Sequence, residues 1–228
     1  GAANTSTAIN PMHTFMNPGF YQVQLIVTTF SMCSDTITLP VDIRPAPVAN
    51  FSATSACIGN TTQFTDLSIP NSDYITAWSW DFGDQIGYSA EQHPFYAYEN
   101  AGTYQVTLLV TNSNGCIRDT IIPVEIFALP SADFISNAPK CLADPVTFTS
   151  ISTPSHGYIT TYHWDFGDGT DTTIANMGNP SVSHIFQGTA TQHIVRLTIT
   201  TSDNCIGIKE MQISSLISPA SNFSYPST

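Results

Sequence analysis

The chain has 228 residues and a formal net charge of −12 at pH 7, because 17 acidic side chains outnumber 5 basic ones. Nucleic acid is bound through clustered cations, so a chain this poor in Lys and Arg is not expected to bind it. Hydrophobic residues make up 42% of the chain, which excludes a disordered acidic tail. No apolar run reaches the roughly 18 residues of a membrane-spanning helix, and we expect neither a membrane span nor a signal peptide.

The sequence repeats itself along its whole length. Residues 21–25 (YQVQL) return as residues 104–108 (YQVTL), at an offset of 83 (104 − 21). An offset of 84 (164 − 80) carries Trp80 onto Trp164, and an offset of 89 (205 − 116) carries Cys116 onto Cys205. The larger last offset indicates an insertion near residues 172–179. Internal repetition at this period is typical of tandem arrays of small domains.

The offsets predict four segments in chain order. These are residues 1–45, the C-terminal half of a repeat; 46–127, a complete repeat; 128–218, a second complete repeat; and 219–228, the start of another. Short linkers that contain Pro and Ala lie at the boundaries, as domain edges commonly do. We interpret the chain as part of a longer array.

Each repeat has the apolar periodicity of strands. Tyr104, Val106, Leu108 and Val110 alternate with residues that include Gln105 and Thr107, which indicates a strand with one buried face. Seven strands are predicted in the first complete repeat, at residues 51–54, 61–66, 75–82, 86–90, 94–98, 103–111 and 116–126. Helical spacing is not found. Seven short strands around a central Trp are typical of an immunoglobulin-like β-sandwich, so the predicted fold class is all-β.

A five-residue motif lies at the centre of each complete repeat. It reads Trp80-Asp81-Phe82-Gly83-Asp84 in the first and Trp164-Asp165-Phe166-Gly167-Asp168 in the second. Trp and Phe at alternate positions are predicted to fill the core, Gly to permit a tight turn, and Asp to accept backbone N–H groups. The motif, together with Tyr98 and residues 102–108, resembles the hallmark of the PKD (polycystic kidney disease) domain family. Gln85 replaces the last Gly of that hallmark, and His193 replaces Tyr104, but neither departure is expected to change the fold.

The resemblance implies a role without catalysis. PKD domains form the repeat stalks of cell-surface proteins and accessory modules of secreted hydrolases. Arrays with similar cysteines resemble those of large surface adhesins that gliding bacteria export by type IX secretion. We therefore expect a non-enzymatic structural or adhesive segment of a secreted cell-surface protein. Its expected partners are neighbouring repeats and an extracellular glycan or surface; the alternative is an accessory polysaccharide- or protein-binding module of a secreted hydrolase.

The paired carboxylates of the motif have two interpretations. Asp81, Asp84, Asp165 and Asp168 are predicted to stabilise turns by accepting backbone hydrogen bonds. Calcium is the second hypothesis and the one candidate cofactor, because hard oxygen ligands suit it, although no EF-hand spacing is present. No nucleophile or general base accompanies these residues, so no catalytic residue is predicted.

Three threonines follow an aspartate in a pattern that resembles the acceptor of bacterial O-glycosylation. They are Thr36, Thr120 and Thr172. A glycoprotein is one hypothesis for this pattern. The other is an ordinary strand Thr beside a turn Asp, and the sequence leaves both open.

Five cysteines at 33, 57, 116, 141 and 205 are widely spaced, which favours disulfides in an oxidising, extracellular setting over a zinc site. Pairing within repeats would give Cys57–Cys116 and Cys141–Cys205. Counting strands favours a Cys57–Cys205 bond between repeats, because Cys57 and Cys116 fall at opposite ends of one sandwich. A strand of about eight residues spans roughly 26 Å, whereas a disulfide needs Cα atoms within about 4.4–6.8 Å. The other cysteines are then expected to pair with neighbouring repeats.

Overall fold

The computed structural model describes residues 5–175 and 180–217. This part of the chain contains eighteen β-strands and no helix, so the prediction of an all-β fold is confirmed. None of the described residues belongs to a helix that could span a membrane. The predicted segment 219–228 lies outside the described residues.

The chain divides into two compact units. The first contains the described residues up to Ser52, then Phe64–Pro94 and Val106–Ile122. The second contains Ala53–Gln63, Phe95–Gln105 and the described residues from Pro123 onward. The second unit therefore holds all described residues of the second complete repeat together with three pieces of the first.

Two long strands, β1 (Gly19–Thr28) and β2 (Ser34–Ile43), form an antiparallel hairpin near the N-terminus. Apolar side chains alternate along β1, but Leu25 is exposed. The equivalent Leu108 of the next repeat is fully buried, because a second sheet packs on its face. The hairpin thus has the apolar alternation of a sandwich sheet, and among the described residues it forms a two-stranded sheet.

The first complete repeat is a sandwich of a five-stranded and a three-stranded sheet. Its strands are β3 (Phe51–Ala53), β4 (Ala56–Cys57), β5 (Thr61–Asp66), β6 (Ile75–Asp81), β7 (Tyr88–Ser89), β8 (Phe95–Ala97), β9 (Gly102–Asn112) and β10 (Ile117–Phe127). The sheet orders are β4-β10-β9-β6-β7 and β3-β5-β8. The sequence did not predict β4, since two residues are too short to show a periodicity. β4 pairs in parallel with the end of β10, so that Cys57 lies opposite Phe127.

The second complete repeat has the same topology. Its strands are β11 (Phe134–Ser136), β12 (Lys140–Cys141), β13 (Val146–Ser150), β14 (Ile159–Asp165), β15 (Asp171–Ala175), β16 (Ser181–His184), β17 (Gln192–Thr201) and β18 (Ile206–Leu216). The sheet orders are β12-β18-β17-β14-β15 and β11-β13-β16. Each strand has its counterpart in the first repeat, which is the structural expression of the sequence repeat.

The tryptophan of the motif is the centre of each core. Trp80 and Trp164 are both 0% exposed. The ring of Phe134 lies 5.1 Å from that of Trp164, and the ring of Phe148 lies 5.8 Å away. These two phenylalanines belong to the three-stranded sheet and Trp164 to the five-stranded sheet. Aromatic packing between the sheets therefore holds the sandwich closed.

The substitution of His193 for tyrosine preserves a local contact. The hydroxyl of Tyr104 donates to the carbonyl of Asn100 at 2.8 Å. His193 is buried, and its Nε2 lies 3.2 Å from the carbonyl oxygen of Ala190. Its ring also stacks on Phe186 with centroids 4.2 Å apart. A contact from the start of the strand to the preceding loop is thus present in both repeats.

Candidate functional site at the disulfide

The carboxylates of the first motif serve its turn. Asp81 Oδ1 accepts the N–H of Gly83 at 2.9 Å. Asp84 Oδ1 accepts the N–H groups of Ile86 at 3.1 Å and Gly87 at 2.8 Å. Aspartates commonly hold turns in this way. Both side chains therefore do what the hydrogen-bonding hypothesis predicts.

The second motif repeats these bonds. Asp165 Oδ1 accepts the N–H of Gly167 at 2.9 Å, and Asp168 Oδ1 accepts the N–H of Thr170 at 3.1 Å and its hydroxyl at 2.6 Å. Within residues 5–175 and 180–217, no group of three or more His, Cys, Asp or Glu side chains is arranged to hold a metal ion. Calcium binding stays a prediction.

The motif glycine is required by space as well as by backbone conformation. Gly167 has φ +73°, and a Cβ added there would lie 2.4 Å from the backbone oxygen of Ile194. Gly169 has φ +90°, but a Cβ there would meet nothing within 4 Å. A left-handed conformation costs a side chain roughly 1–2 kcal/mol at either position. Of these two glycines, only Gly167 also has a neighbouring strand in the space that a Cβ would occupy.

We therefore expect Gly167→Ala to lower the free energy of unfolding by clearly more than Gly169→Ala, which should cost about 1–2 kcal/mol. The matched pair separates steric overlap from backbone strain. Urea denaturation of the two variants and the parent chain measures the difference. Equal losses in the two variants would show that the strand of Ile194 moves away freely.

The second motif also contains a half-buried contact between Asp168 and a histidine. Asp168 Oδ2 lies 2.7 Å from His184 Nε2. The His184 ring stacks on Phe166 with centroids 4.0 Å apart. Burial opposes ionisation of Asp168, but the hydrogen bonds from Thr170 and His184 outweigh it and hold the pKa of Asp168 below its ordinary value.

A lowered carboxyl pKa makes stability depend on pH. The contribution of Asp168 is fully present above its unfolded pKa of about 3.9 and is lost as the pH falls through its lower folded pKa. We expect Asp168→Asn to remove this part of the acid-range loss of stability. Melting temperatures between pH 7 and the acid limit, compared with those of Asp165→Asn, provide the measurement. An unchanged pH profile in Asp168→Asn would contradict the assignment.

The structure contains a disulfide between Cys57 of the first complete repeat and Cys205 of the second. The S–S distance is 2.00 Å and the Cα atoms are 5.6 Å apart. Both residues belong to the second compact unit. This is the pairing that strand counting favours. The alternative pairs Cys57–Cys116 and Cys141–Cys205 do not form, since Cys33, Cys116 and Cys141 are free.

Backbone hydrogen bonds fix both halves of the disulfide. On one side, β4 pairs with the end of β10, and Ile58 N–H donates to the carbonyl of Phe127 at 2.8 Å. On the other side, Thr201 N–H donates to the carbonyl of Cys205 at 2.9 Å, and Cys205 N–H donates to Thr201 Oγ1 at 3.1 Å. Cys57 is therefore held by its strand, and Cys205 is held by the hydrogen bonds that close the turn between β17 and β18.

Two aromatic rings, Phe127 and His156, pack beside the disulfide. Phe127 forms a buried cluster with Cys57 and Cys205. The ring of His156 stacks on Phe127 with centroids 4.6 Å apart, and His156 Nδ1 lies 2.9 Å from Asp203 Oδ2. The hydrogen bond to Asp203 raises the pKa of His156. Sequence reasoning missed this cluster, although an apolar Phe127 directly before a linker was a signal for it.

The predicted glycosylation sites differ in exposure. Thr36 is exposed on β2, whereas Thr120 on β10 and Thr172 on β15 are half-buried. Thr36 is thus the most exposed of the three residues. Glycosylation stays a prediction.

Tandem immunoglobulin-like β-sandwiches with a disulfide between them define the class of this protein. The family model of the PKD domain matches residues 44–124 and 128–214, which is more than half of the chain. The chain belongs to the PKD domain family. The domains of this family are generally non-catalytic modules.

Similar proteins include a metalloprotease and a human protein. The chain is 35% identical over 129 residues to the pre-pro-metalloprotease PrtV of Vibrio cholerae, a match that covers 54% of this chain and 13% of PrtV. It is 32% identical over 106 residues to human polycystin-1, covering 46% of this chain and 2% of polycystin-1. The matches therefore span only a small part of these relatives.

Solved PKD domains are also similar. The PKD1 domain of PrtV from Vibrio cholerae is 32% identical, with a TM-score of 0.32, over 36% of this chain and 98% of that one. The PKD1 domain of Vibrio anguillarum Epp is 30% identical, with a TM-score of 0.33, over 36% of this chain and 95% of that one.

Proposed function

We propose that this chain is a structural and adhesive segment of a secreted cell-surface protein, in which successive PKD repeats form a stalk. The Cys57–Cys205 disulfide carries the proposal, because it joins residues of two repeats and is buried in a cluster with Phe127. A covalent bond of this kind limits how far two repeats separate under tension. Disulfides persist in oxidising compartments, which supports an extracellular location.

The resemblance to large adhesins of gliding bacteria makes the proposal more specific. We propose that the full protein belongs to that type, is exported by type IX secretion and carries O-glycans. The exposed Thr36 supports the last part, because an accessible hydroxyl beside Asp35 is what such an acceptor needs. The intact mass of the protein from its native source tests it. An unmodified mass would contradict glycosylation and leave the stalk proposal in place.

Mechanical stretching tests the stalk. Cys57 and Cys205 are 148 residues apart in sequence, so the disulfide keeps the intervening chain from extending. At about 3.6 Å per residue, reduction should add roughly 50 nm to the length released on unfolding. Single-molecule force measurements with and without a reductant provide the comparison, with Cys57→Ser as the matched variant. Equal released lengths would contradict the mechanical role.

The alternative function is that of an accessory module of a secreted hydrolase, which binds polysaccharide or protein. The similarity to a metalloprotease favours it, and the exposed rings of Tyr88 and Tyr158 provide stacking surfaces for sugars. Pull-down of the chain on chitin, cellulose and collagen tests it. Tight binding that is lost in Tyr88→Ala or Tyr158→Ala would favour the accessory module over the stalk.

A further inference from the structure

The free Cys141 occupies the same local structure as the bonded Cys57. Cys141 on β12 lies opposite Leu216 at the end of β18, as Cys57 lies opposite Phe127 at the end of β10. Leu142 N–H donates to the carbonyl of Leu216 at 2.8 Å, which matches the bond from Ile58 to Phe127. The second repeat therefore holds Cys141 in the geometry that forms a disulfide in the first.

The surroundings of the two cysteines differ in exposure. Around Cys57, which is 2% exposed, Phe127 is only 8% exposed. Around Cys141, by contrast, Leu216 is 52% and Ile217 is 72% exposed. We call Cys141, Leu142, Leu216 and Ile217 the distal face; Leu142 and Ile217 also line a recess with Gly188 and Thr189. The distal face is an apolar surface beside a free thiol.

The hairpin turn that carries Cys205, the partner of Cys57, also recurs in the other repeats. Cys205 closes a hairpin through two hydrogen bonds to Thr201, which lies four residues earlier. Thr201 N–H donates to the carbonyl of Cys205, and Thr201 Oγ1 accepts the N–H of Cys205. Cys33 makes the same two bonds with Thr29, and Cys116 makes them with Asn112. Both of these hairpin cysteines are free. The chain thus presents two unpaired hairpin cysteines and one unpaired distal face.

We propose that the distal face docks the cysteine hairpin of a further PKD repeat of the same chain, and that Cys141 forms a disulfide with that hairpin. By the same rule, Cys116 bonds the first cysteine of the repeat that precedes its own. The partner follows from the one equivalent surface that is filled, where the hairpin of Cys205 packs on Phe127 and Cys57. This inference rests on the proposed array and assigns its bonding pattern: one disulfide at every junction.

The bond requires an oxidant of the disulfide class, such as oxidised glutathione or a disulfide oxidoreductase. The Cys141 thiolate attacks one sulfur of that disulfide, forming a mixed disulfide and releasing one thiol. The hairpin thiolate then attacks the Cys141 sulfur and releases the second thiol. Two cysteine thiols are oxidised, one oxidant disulfide is reduced, and the protons pass to the released thiolates and to solvent.

An extended chain tests the distal face. Residues 1–219 are followed by a second copy of residues 131–217, which the offset of 89 (220 − 131) places in register, with Cys141→Ser in the appended copy. After oxidation with glutathione, the unfolded, unreduced protein is alkylated and mapped by mass spectrometry. We expect Cys141 to lose its reactivity. The matched control carries Cys205→Ser in the appended copy only, and there Cys141 should be alkylated.

A second chain tests the same rule at the other end. A copy of residues 46–101 is placed ahead of residues 19–228, which completes the N-terminal repeat in the register given by the offset of 83 (102 − 19). Cys116 should then lose its reactivity, and Cys57→Ser in the added copy should restore it. This chain decides the matter where the first does not fold.

The outcomes separate this inference from the proposed function. Protection of Cys141 or Cys116 that the matched serine variant abolishes supports the bonding rule. Reactive Cys141 and Cys116 beside an intact Cys57–Cys205 bond overturn it, while the stalk still stands on its mechanical test. Tight polysaccharide binding would instead contradict the stalk proposal and leave the disulfide result unaffected.

Discussion

Replacement of Trp80 by alanine is expected to lower the free energy of unfolding of its repeat by about 3–5 kcal/mol. Trp80 is 0% exposed, and the rings of Phe51 and Phe64 lie 5.1 Å and 5.6 Å from it. Its Nε1 also donates to the carbonyl of Glu91 at 2.8 Å. Removing the indole leaves a cavity between the sheets and an unpaired carbonyl. Because a domain is stable by only about 5–15 kcal/mol, the loss is a large share of the total.

Trp78 provides the matched control for this prediction. It lies two residues earlier on the same strand and is half-buried, with its Nε1 donating to Asp66 Oδ2 at 2.7 Å. Trp78→Ala removes a side chain of the same size from a site that is already partly solvated, so its loss should be clearly smaller. Urea denaturation measures both. A loss below about 1 kcal/mol for Trp80→Ala would contradict its place at the centre of the core.

The repeat and its alternating apolar residues were sufficient to predict the sandwich. Period-2 alternation reports directly which side chains a sheet buries, and it placed Val106, Leu108 and Val110 correctly. The motif tryptophans were predicted for the same reason. The pattern did not predict β4, because its two residues pair through backbone groups, which do not depend on the type of residue. Short pairings of that kind leave no periodic signal.

Contacts between distant loops could not be predicted from the sequence, for a different reason. His156 stacks on Phe127 and contacts Asp203, and none of these residues belongs to a motif. Their meeting depends on how two loops and a strand end converge in space. The Cys57–Cys205 pairing could be favoured from the sequence because a disulfide has a short, fixed span and strand counting put Cys57 and Cys116 at opposite ends of one sandwich.

Removal of the Cys57–Cys205 disulfide is expected to be the other large effect. Chain-entropy arguments give about 5 kcal/mol for a closed loop of this size, whose ends are 148 residues apart. The bond stabilises the fold because it restricts the unfolded chain. Its loss therefore lowers the free energy of unfolding for any step that separates Cys57 from Cys205. Cys57→Ser and reduction of the unaltered chain should therefore both lower the urea midpoint. The agreement of the two treatments distinguishes the missing bond from an altered side chain.

Cys141→Ser is the matched control, because Cys141 occupies the same β-pairing as Cys57 in the next repeat but carries a free thiol. It should leave the urea midpoint of this chain unchanged. In the chain extended by a second copy of residues 131–217, the same substitution should become destabilising, because there it removes a bond. A chain in which Cys57→Ser and Cys141→Ser are equally harmless would show that the disulfide contributes nothing to stability. The bond would then act only when tension is applied.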